Sequence, residues 1–344
     1  MLNFIKRASS KIAREYRDYS VYEKVRDSLI LVSGPKFLDL PEGKIAVVLM
    51  GRNMEHYLEH FHDHHRAMGA DYFVYCDNGS TDRSLDIVSK WKNTVALSTD
   101  LNFRDYQIPI RQQITHRYCS DGWRLAIDPD ELFDYVGADR LSLPELARSV
   151  RERGYTGVVA QMLDMVPDAD LASNALRTFE QSAAASKYFS LDQITSLPYS
   201  DSDVPFSGLV RDNTLPDVDI EWKFGGLRRQ YFGEDCCLTK HALYYHAYGV
   251  RTFVHPHLST GLKLADFTAL LRHYKFSGDF LSREAERIAN NRISHNETEL
   301  RADVMGNSGE FRFDVSKMDT DSAPEVLIDR GFLVMSEDAK SQYG

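Results

Sequence analysis

Apolar positions in the first half of the chain alternate between short unbroken runs and stretches of helical spacing. Residues 45–50, IAVVLM, form a continuous run of the kind found in strands covered on both faces. Met54, Tyr57, Leu58, Phe61, His65 and Met68 then recur at helical spacing, and after a turn at Gly69 a second strand is expected near 72–76. The alternation continues with a helix over 81–91, a strand near 94–98, a helix within 107–119 and a strand over 123–127. This order predicts an α/β fold with a mostly parallel, doubly wound sheet flanked by helices, whose ligands bind beyond the carboxyl ends of the strands. Gly51–Asn53, Asp77–Ser80 and Asp128–Glu131 each come just after a predicted strand, so three polar clusters are expected along one edge.

After Gly157 the pattern is less regular. GVVAQML reads as a strand, 165–220 as long loops rich in Asp, Ser and Pro, 262–295 as helix, and the last ten residues as a frayed polar tail. No internal repeat or low-complexity tract interrupts the chain. At the start, Ile5, Ala8, Ile12 and Tyr16 share one helical face, with Lys6, Arg7, Lys11, Arg14 and Arg17 mostly off it. Such a basic amphipathic segment can lie on an anionic membrane surface, although packing on the domain is the plainer alternative for so few large apolar residues.

Composition narrows the classes. The 344 residues, 43% hydrophobic, suffice for one large α/β domain with extensions. A net charge of -10 argues against nucleic acid as a partner, since displacing counterions from phosphates needs a basic surface. Cys76, Cys119, Cys236 and Cys237 show no zinc-type spacing, which fits a reducing cytoplasm. With no apolar run of membrane-spanning length and no secretory leader, a soluble, cytoplasmic chain is expected, with membrane contact confined to the N-terminal helix.

Four stretches carry candidate chemistry. CDNGSTDRS could be a hairpin turn, but the residues after Gly79 have capping types and then helical spacing, so it is a strand-to-helix loop with Asp77 at the strand end. Free N–H groups at such a helix start attract phosphate, although Ser or Thr there is usually only a cap. DPDE lacks the glycine of a calcium loop, and stands evenly between an acidic Asp-Pro turn and a divalent-metal site built from Asp128 and Asp130. HYLEHFHDHH does not match H-E-x-x-H; His65 belongs to the apolar face, while His56, His60 and His64 form a solvated stripe. In KFGGLRRQYFG, Gly226 permits close backbone approach to a ligand and Arg228 suits carboxylate or phosphate, with Lys240 next in LTKHALYYH.

Taken together, these residues resemble the glycosyltransferases of the GT-A fold, in particular bacterial relatives of glycosyltransferase family 2. The likeness rests on NMEHYLEHFHDHHRAMGADYFVYCDNGSTDRS, WRLAIDPDELFDY, MLDMVPD, YFSLD, FGGLRRQYFG, LTKHALYY and LLRHYKF, in that order. It implies a GT-A domain over 44–280, with an N-terminal helical extension over 1–43 and a helical or irregular C-terminal extension over 281–344. It further implies that Arg52, Asn53, Asp77 and Gly226 line a nucleotide-sugar site, with UDP the favoured nucleotide. Asp128, Asp130 and His273 would hold Mn2+ or Mg2+, and Arg228 and Lys240 would face the diphosphate or the acceptor. The acceptor would be a glycan, a lipid-linked sugar or a protein, and transfer would invert the anomeric centre. Inversion needs a general base, for which Asp164 is the first choice and Asp192 and Glu221 are alternatives. Met54 after Asn53, where many relatives carry an acidic residue, and Pro129 inside the D-x-D depart from the pattern. Two other readings stay open: a non-catalytic nucleotide-sugar or glycan-binding module, and a metal-dependent phosphohydrolase with Asp128 as nucleophile.

Overall fold

Ile45–Gly51 forms a strand with all seven residues buried, as a continuous apolar run requires when both faces of a sheet are covered. The computed structural model describes residues 19–289, 300–301 and 311–344, so the expected face Ile5, Ala8, Ile12 and Tyr16 lies outside the described residues. The first half of the chain builds α1 (19–28), β1 (Ile30–Ser33), β2 (Ile45–Gly51), α2 (Glu55–Ala67), β3 (Tyr72–Asp77), α3 (Ser84–Val88), β4 (Thr94–Ser98), α4 (Phe103–Arg117) and β5 (Gly122–Ala126). Next come β6 (Glu131–Asp134), α5 (Leu143–Glu152), β7 (Gly157–Asp164), α6 (Leu171–Ala175), α7 (Phe179–Ala185) and a hairpin of β8 (Ile194–Pro198) and β9 (Glu221–Gly225). Beyond these lie α8 (Leu227–Phe232), β10 (Thr239–His246), the short pair β11 (Arg251–His255) and β12 (Leu258–Thr260), β13 (Leu264–His273) and α9 (Phe280–Ala289).

Nine strands pair in the order β1-β4-β3-β2-β5-β10-β7-β13-β6. β4, β3, β2 and β5 are mutually parallel, β10 enters antiparallel between β5 and β7, and β13 runs parallel to β7. β1 and β6 are antiparallel edges, so the sheet is mixed but mostly parallel. From β2 the chain winds to one side through β3 and β4 and returns to the other side at β5. The winding therefore reverses between β2 and β5, and at such a switch point the helices leave a crevice beyond the carboxyl ends.

Alternation along β2 sorts the two cores. Ile45, Val47 and Leu49 join Leu58 and Phe61 of α2 and Leu146 of α5 on one face. Ala46, Val48 and Met50 join Val25 of α1 with Ile110 and Ile114 of α4 on the other. The helix expected from 262 is in fact β13, buried along nine of its ten residues between β7 and β6. A run apolar on both faces has no period that separates a buried strand from a buried helix.

Two further expectations change. The histidine stripe of α2 is not solvated: His56 Nε2 lies 2.8 Å from Ser277 Oγ and His64 Nε2 lies 2.8 Å from the Phe133 carbonyl oxygen. The C-terminal tail is docked rather than frayed, because Ala339 and Tyr343, one turn apart in the helix Glu337–Tyr343, are both buried in the main core. Among the described residues no helix is long and apolar enough to cross a membrane.

Candidate active site

The loops after β2, β3 and β5 wall one side of a cleft of about 950 Å³ at the carboxyl edge of the sheet. Gly51–Asn53, Asn78 and Asp128–Glu131 line it, so the three polar clusters do share one edge. Gly51 lets two of these loops close on each other, since a Cβ there would stand 3.2 Å from Pro129 and 2.6 Å from the Met54 side chain.

Asn53 ties the loops together. Its backbone is left-handed, with φ 53°, a conformation that asparagine tolerates better than most residues. Its N–H donates to Ser80 Oγ at 2.9 Å, its side-chain oxygen accepts from the Thr81 N–H at 2.8 Å, and its Nδ2 donates to Glu286 of α9 at 3.0 Å. Arg52 donates to the same Glu286 carboxylate at 2.8 Å. Asp77 is 1% exposed and turned into its own loop, accepting from the Ser80 N–H at 2.8 Å and the Tyr75 hydroxyl at 3.3 Å. It shapes the loop from behind, while Asn78 lines the cleft.

DPDE folds as a turn, with Pro129 second and the Glu131 N–H donating to the Asp128 carbonyl at 3.0 Å. Asp128 accepts from Arg111 of α4 at 2.5 Å and from Lys240 of β10 at 3.0 Å. Lys240 also donates to both Glu131 oxygens, at 2.7 and 3.0 Å. Burial pushes the Asp128 carboxyl up, but Arg111 and Lys240 together hold it below the usual carboxylate range. Glu131, in contrast, is pushed up by burial. Lys240 is 1% exposed and lies outside the cleft lining, so it braces the turn from beneath.

A second charged chain runs from Asp130 through His273 and Asp164 to Arg228. Asp130 Oδ2 lies 3.4 Å from His273 Nε2, His273 Nδ1 lies 2.6 Å from Asp164 Oδ1, and Arg228 Nε donates to Asp164 Oδ2 at 2.9 Å. Burial alone would lower the His273 pKa, yet the two flanking carboxylates raise it. Against burial, Arg228 and His273 hold Asp164 below the carboxylate range, and His273 does the same for Asp130. The Asp164 side chain is 3% exposed and lies behind His273, outside the cleft lining. Gly226 also lies outside it: a Cβ there would face Ile194 at 3.3 Å and Leu238 at 3.5 Å, so its close approach is to the protein itself.

Donors of the right kind for a hard divalent cation are present. Asp130 offers a carboxylate and His273 an imidazole on the cleft wall, although His273 must give up its shared proton to ligate. His257, in the β11–β12 turn, also lines the cleft; burial lowers its pKa far below the ordinary value, and its buried Nδ1 has no hydrogen-bond partner among the described residues. Both Asp128 oxygens are already engaged, and no group of three His, Cys, Asp or Glu side chains is arranged to hold a metal among the described residues.

Sequence reasoning finds the two charged motifs but misses Arg111, His257 and Glu286. Arg111 has a signal in hindsight, a cation between Ile110 and Ile114 on the buried face of α4. Glu286 has none, since it meets Arg52 across 234 residues of chain. Compared with known proteins, the chain matches no family model and no curated protein.

Proposed function

We propose that this chain is a glycosyltransferase of the GT-A type. It takes a sugar from a nucleoside diphosphate donor, with UDP the favoured nucleotide, and passes it to a glycan, lipid-linked or protein acceptor. One observation carries the reading: an acidic turn and several cationic side chains, Lys275 and Arg283 among them, line one cleft at the switch point of a doubly wound sheet. A nucleotide diphosphate needs such a crevice for its base and ribose and such charge for its phosphates. The motif likeness supplies the sugar.

In this reading Asp130 and His273 would hold Mn2+ or Mg2+, and Asp128 keeps the turn that presents Asp130. When bound, the ion offsets charge on the departing diphosphate as a Lewis acid. Arg228 and Asp164 fix the ring orientation of His273. Asp164 is better suited to that task than to taking a proton, because it is buried and holds two cations. Asp192 and Glu221 do not line the cleft, whereas Asp203 and Asp235 do, and both are exposed. Asp235 already pairs with Arg229, which leaves Asp203 as the candidate to accept the proton of an acceptor hydroxyl. Against the phosphohydrolase reading, Arg111 and Lys240 each hold one oxygen of Asp128, which ties the carboxylate to the turn rather than presenting it to phosphorus.

Calorimetry with UDP, with and without Mn2+, together with product analysis over a panel of sugar nucleotides, tests the proposal. The expected result is metal-enhanced UDP binding and slow release of free sugar plus nucleoside diphosphate. Asp130→Asn should lower that turnover about 100-fold or more. Metal-independent binding with no turnover would favour the binding module, and inorganic phosphate release from simple esters would favour the hydrolase.

A further inference from the structure

We infer that the cleft wall built by β9, the loop before it and the β11–β12 turn seats a pyranose ring, so that the acceptor hydroxyl belongs to a sugar rather than to a polypeptide or a bare lipid. This seat deepens the sugar-transfer reading and rests on it for the role of acceptor, but its occupancy can be measured without turnover. Phe206, Phe224, His255 and Pro256 line the cleft and are half-buried, so each keeps part of its surface for a ligand. None of them comes from the loops after β2, β3 and β5, so this wall and the polar clusters are separate parts of one cleft.

The rings are held in place from the core. Phe206 stacks on His255 with centroids 4.9 Å apart at 27°, and lies 6.0 Å from Phe224 at 37°. Trp222, fully buried, meets Phe206 at 77°, and its indole N–H donates to the Tyr199 carbonyl at 2.9 Å. A wall fixed in this way keeps its shape whether or not a ligand is present, which lowers the cost of binding.

What an aromatic wall binds is decided by the polar groups beside it. Asp203 lines the same cleft and is exposed. His257 lines it too, half-buried and edge-on to His255 at 5.8 Å and 84°, and its buried Nδ1 has no hydrogen-bond partner among the described residues. A polar atom that the protein leaves unused beside a cleft points to a ligand that uses the group. Burial keeps this imidazole neutral, so it can accept as well as donate. A pyranose offers both surfaces the wall needs: a face of axial C–H groups to pack on the rings, and a girdle of hydroxyls to bond a carboxylate and a neutral imidazole. A lipid tail would set methylenes against Asp203 and His257 and leave both without partners.

The test is saturation-transfer NMR on the full chain with the methyl and octyl pyranosides of glucose, galactose, mannose and N-acetylglucosamine, with and without UDP and Mn2+. At least one methyl pyranoside should be saturated chiefly on the axial C–H protons of one ring face, and the signal should persist when UDP and Mn2+ are added. Phe206→Leu, which keeps an apolar side chain but removes the ring, should weaken that binding by roughly three- to tenfold. His257→Leu should weaken it by about as much, and UDP binding in calorimetry should not change in either variant. Should thermal melting show Phe206→Leu unfolded, His257→Leu carries the same test. Tighter binding of the octyl form would make a lipid-linked sugar the source of the pyranose, and equal binding a free glycan. Silence from every pyranoside, undiminished binding in the folded variants, or displacement by UDP overturns the proposal, the last by giving the rings to the base. Metal-enhanced UDP binding without pyranoside binding removes the sugar seat and spares the transferase reading. Pyranoside binding without UDP binding upholds the seat and removes the transfer.

Discussion

Lys240 holds two carboxylates from inside the sheet, and its removal leaves Asp128 and Glu131 buried with one cation fewer. Lys240→Met is expected to lower stability by about 3–5 kcal/mol in urea unfolding, and Glu131→Leu added to it to restore part of the loss, since Asp128 keeps Arg111. His241 offers a pH test. It donates from Nδ1 to the Ser259 carbonyl at 2.8 Å and accepts at Nε2 from the Tyr199 hydroxyl at 2.9 Å, and burial lowers its pKa to about 4. The unfolded chain takes up this proton first as pH falls. The contribution is therefore whole above pH 6.5 and is lost toward pH 4, by up to about 3 kcal/mol. His241→Gln should flatten the melting-temperature profile across that window, and an unchanged slope would assign the acid sensitivity elsewhere. At this scale the sequence was informative about residue types and poor about direction. Asp128 and Asp130 were legible because carboxylates directly after a strand are unusual beside a core, whereas His273 came only from the motif likeness. Whether Asp77, Asp164 and Lys240 face the cleft or stand behind it depends on side-chain rotation that one-dimensional spacing does not encode.

Among the elements, α9 brings Arg283 and Glu286 to the cleft wall. Glu286 offers its carboxylate to both Arg52 and Asn53, where the proposed donor would place its own oxygens. Glu286→Ala should therefore tighten UDP binding several-fold in titration calorimetry by removing an internal competitor, and weaker binding would instead make α9 part of the donor site. α9 is itself fastened by Arg301, which joins Glu284 at 2.5 Å to Glu234 after α8. β2 to β5 were readable because each helix between them has one apolar face and each strand a closed run, whereas β1 was not expected. β13 was not, because the run LADFTALLRH gives the same hydrophobic signal in either conformation and is settled only by its neighbours β7 and β6. β10 carries the same ambiguity, and nothing local in it announces an antiparallel insertion.

For the whole molecule, the edge along which polar loops gather was legible from strand–helix order alone, since winding direction fixes where the helices part. A ligand that fills this cleft binds only the folded chain, so UDP with Mn2+ at about 100 times its dissociation constant should add close to 3 kcal/mol of stability. Thermal unfolding should rise accordingly in the wild type and much less in Asp130→Asn. The seat of β10 also sets the order in which a growing polypeptide can finish. β5 ends at Ala126, yet the neighbour that covers its far side begins only at Thr239, so a ribosome leaves that hydrogen-bonding margin bare for about 10 s while the residues between emerge. During translation this raw seam, rather than any feature of the finished protein, is the natural target for a chaperone.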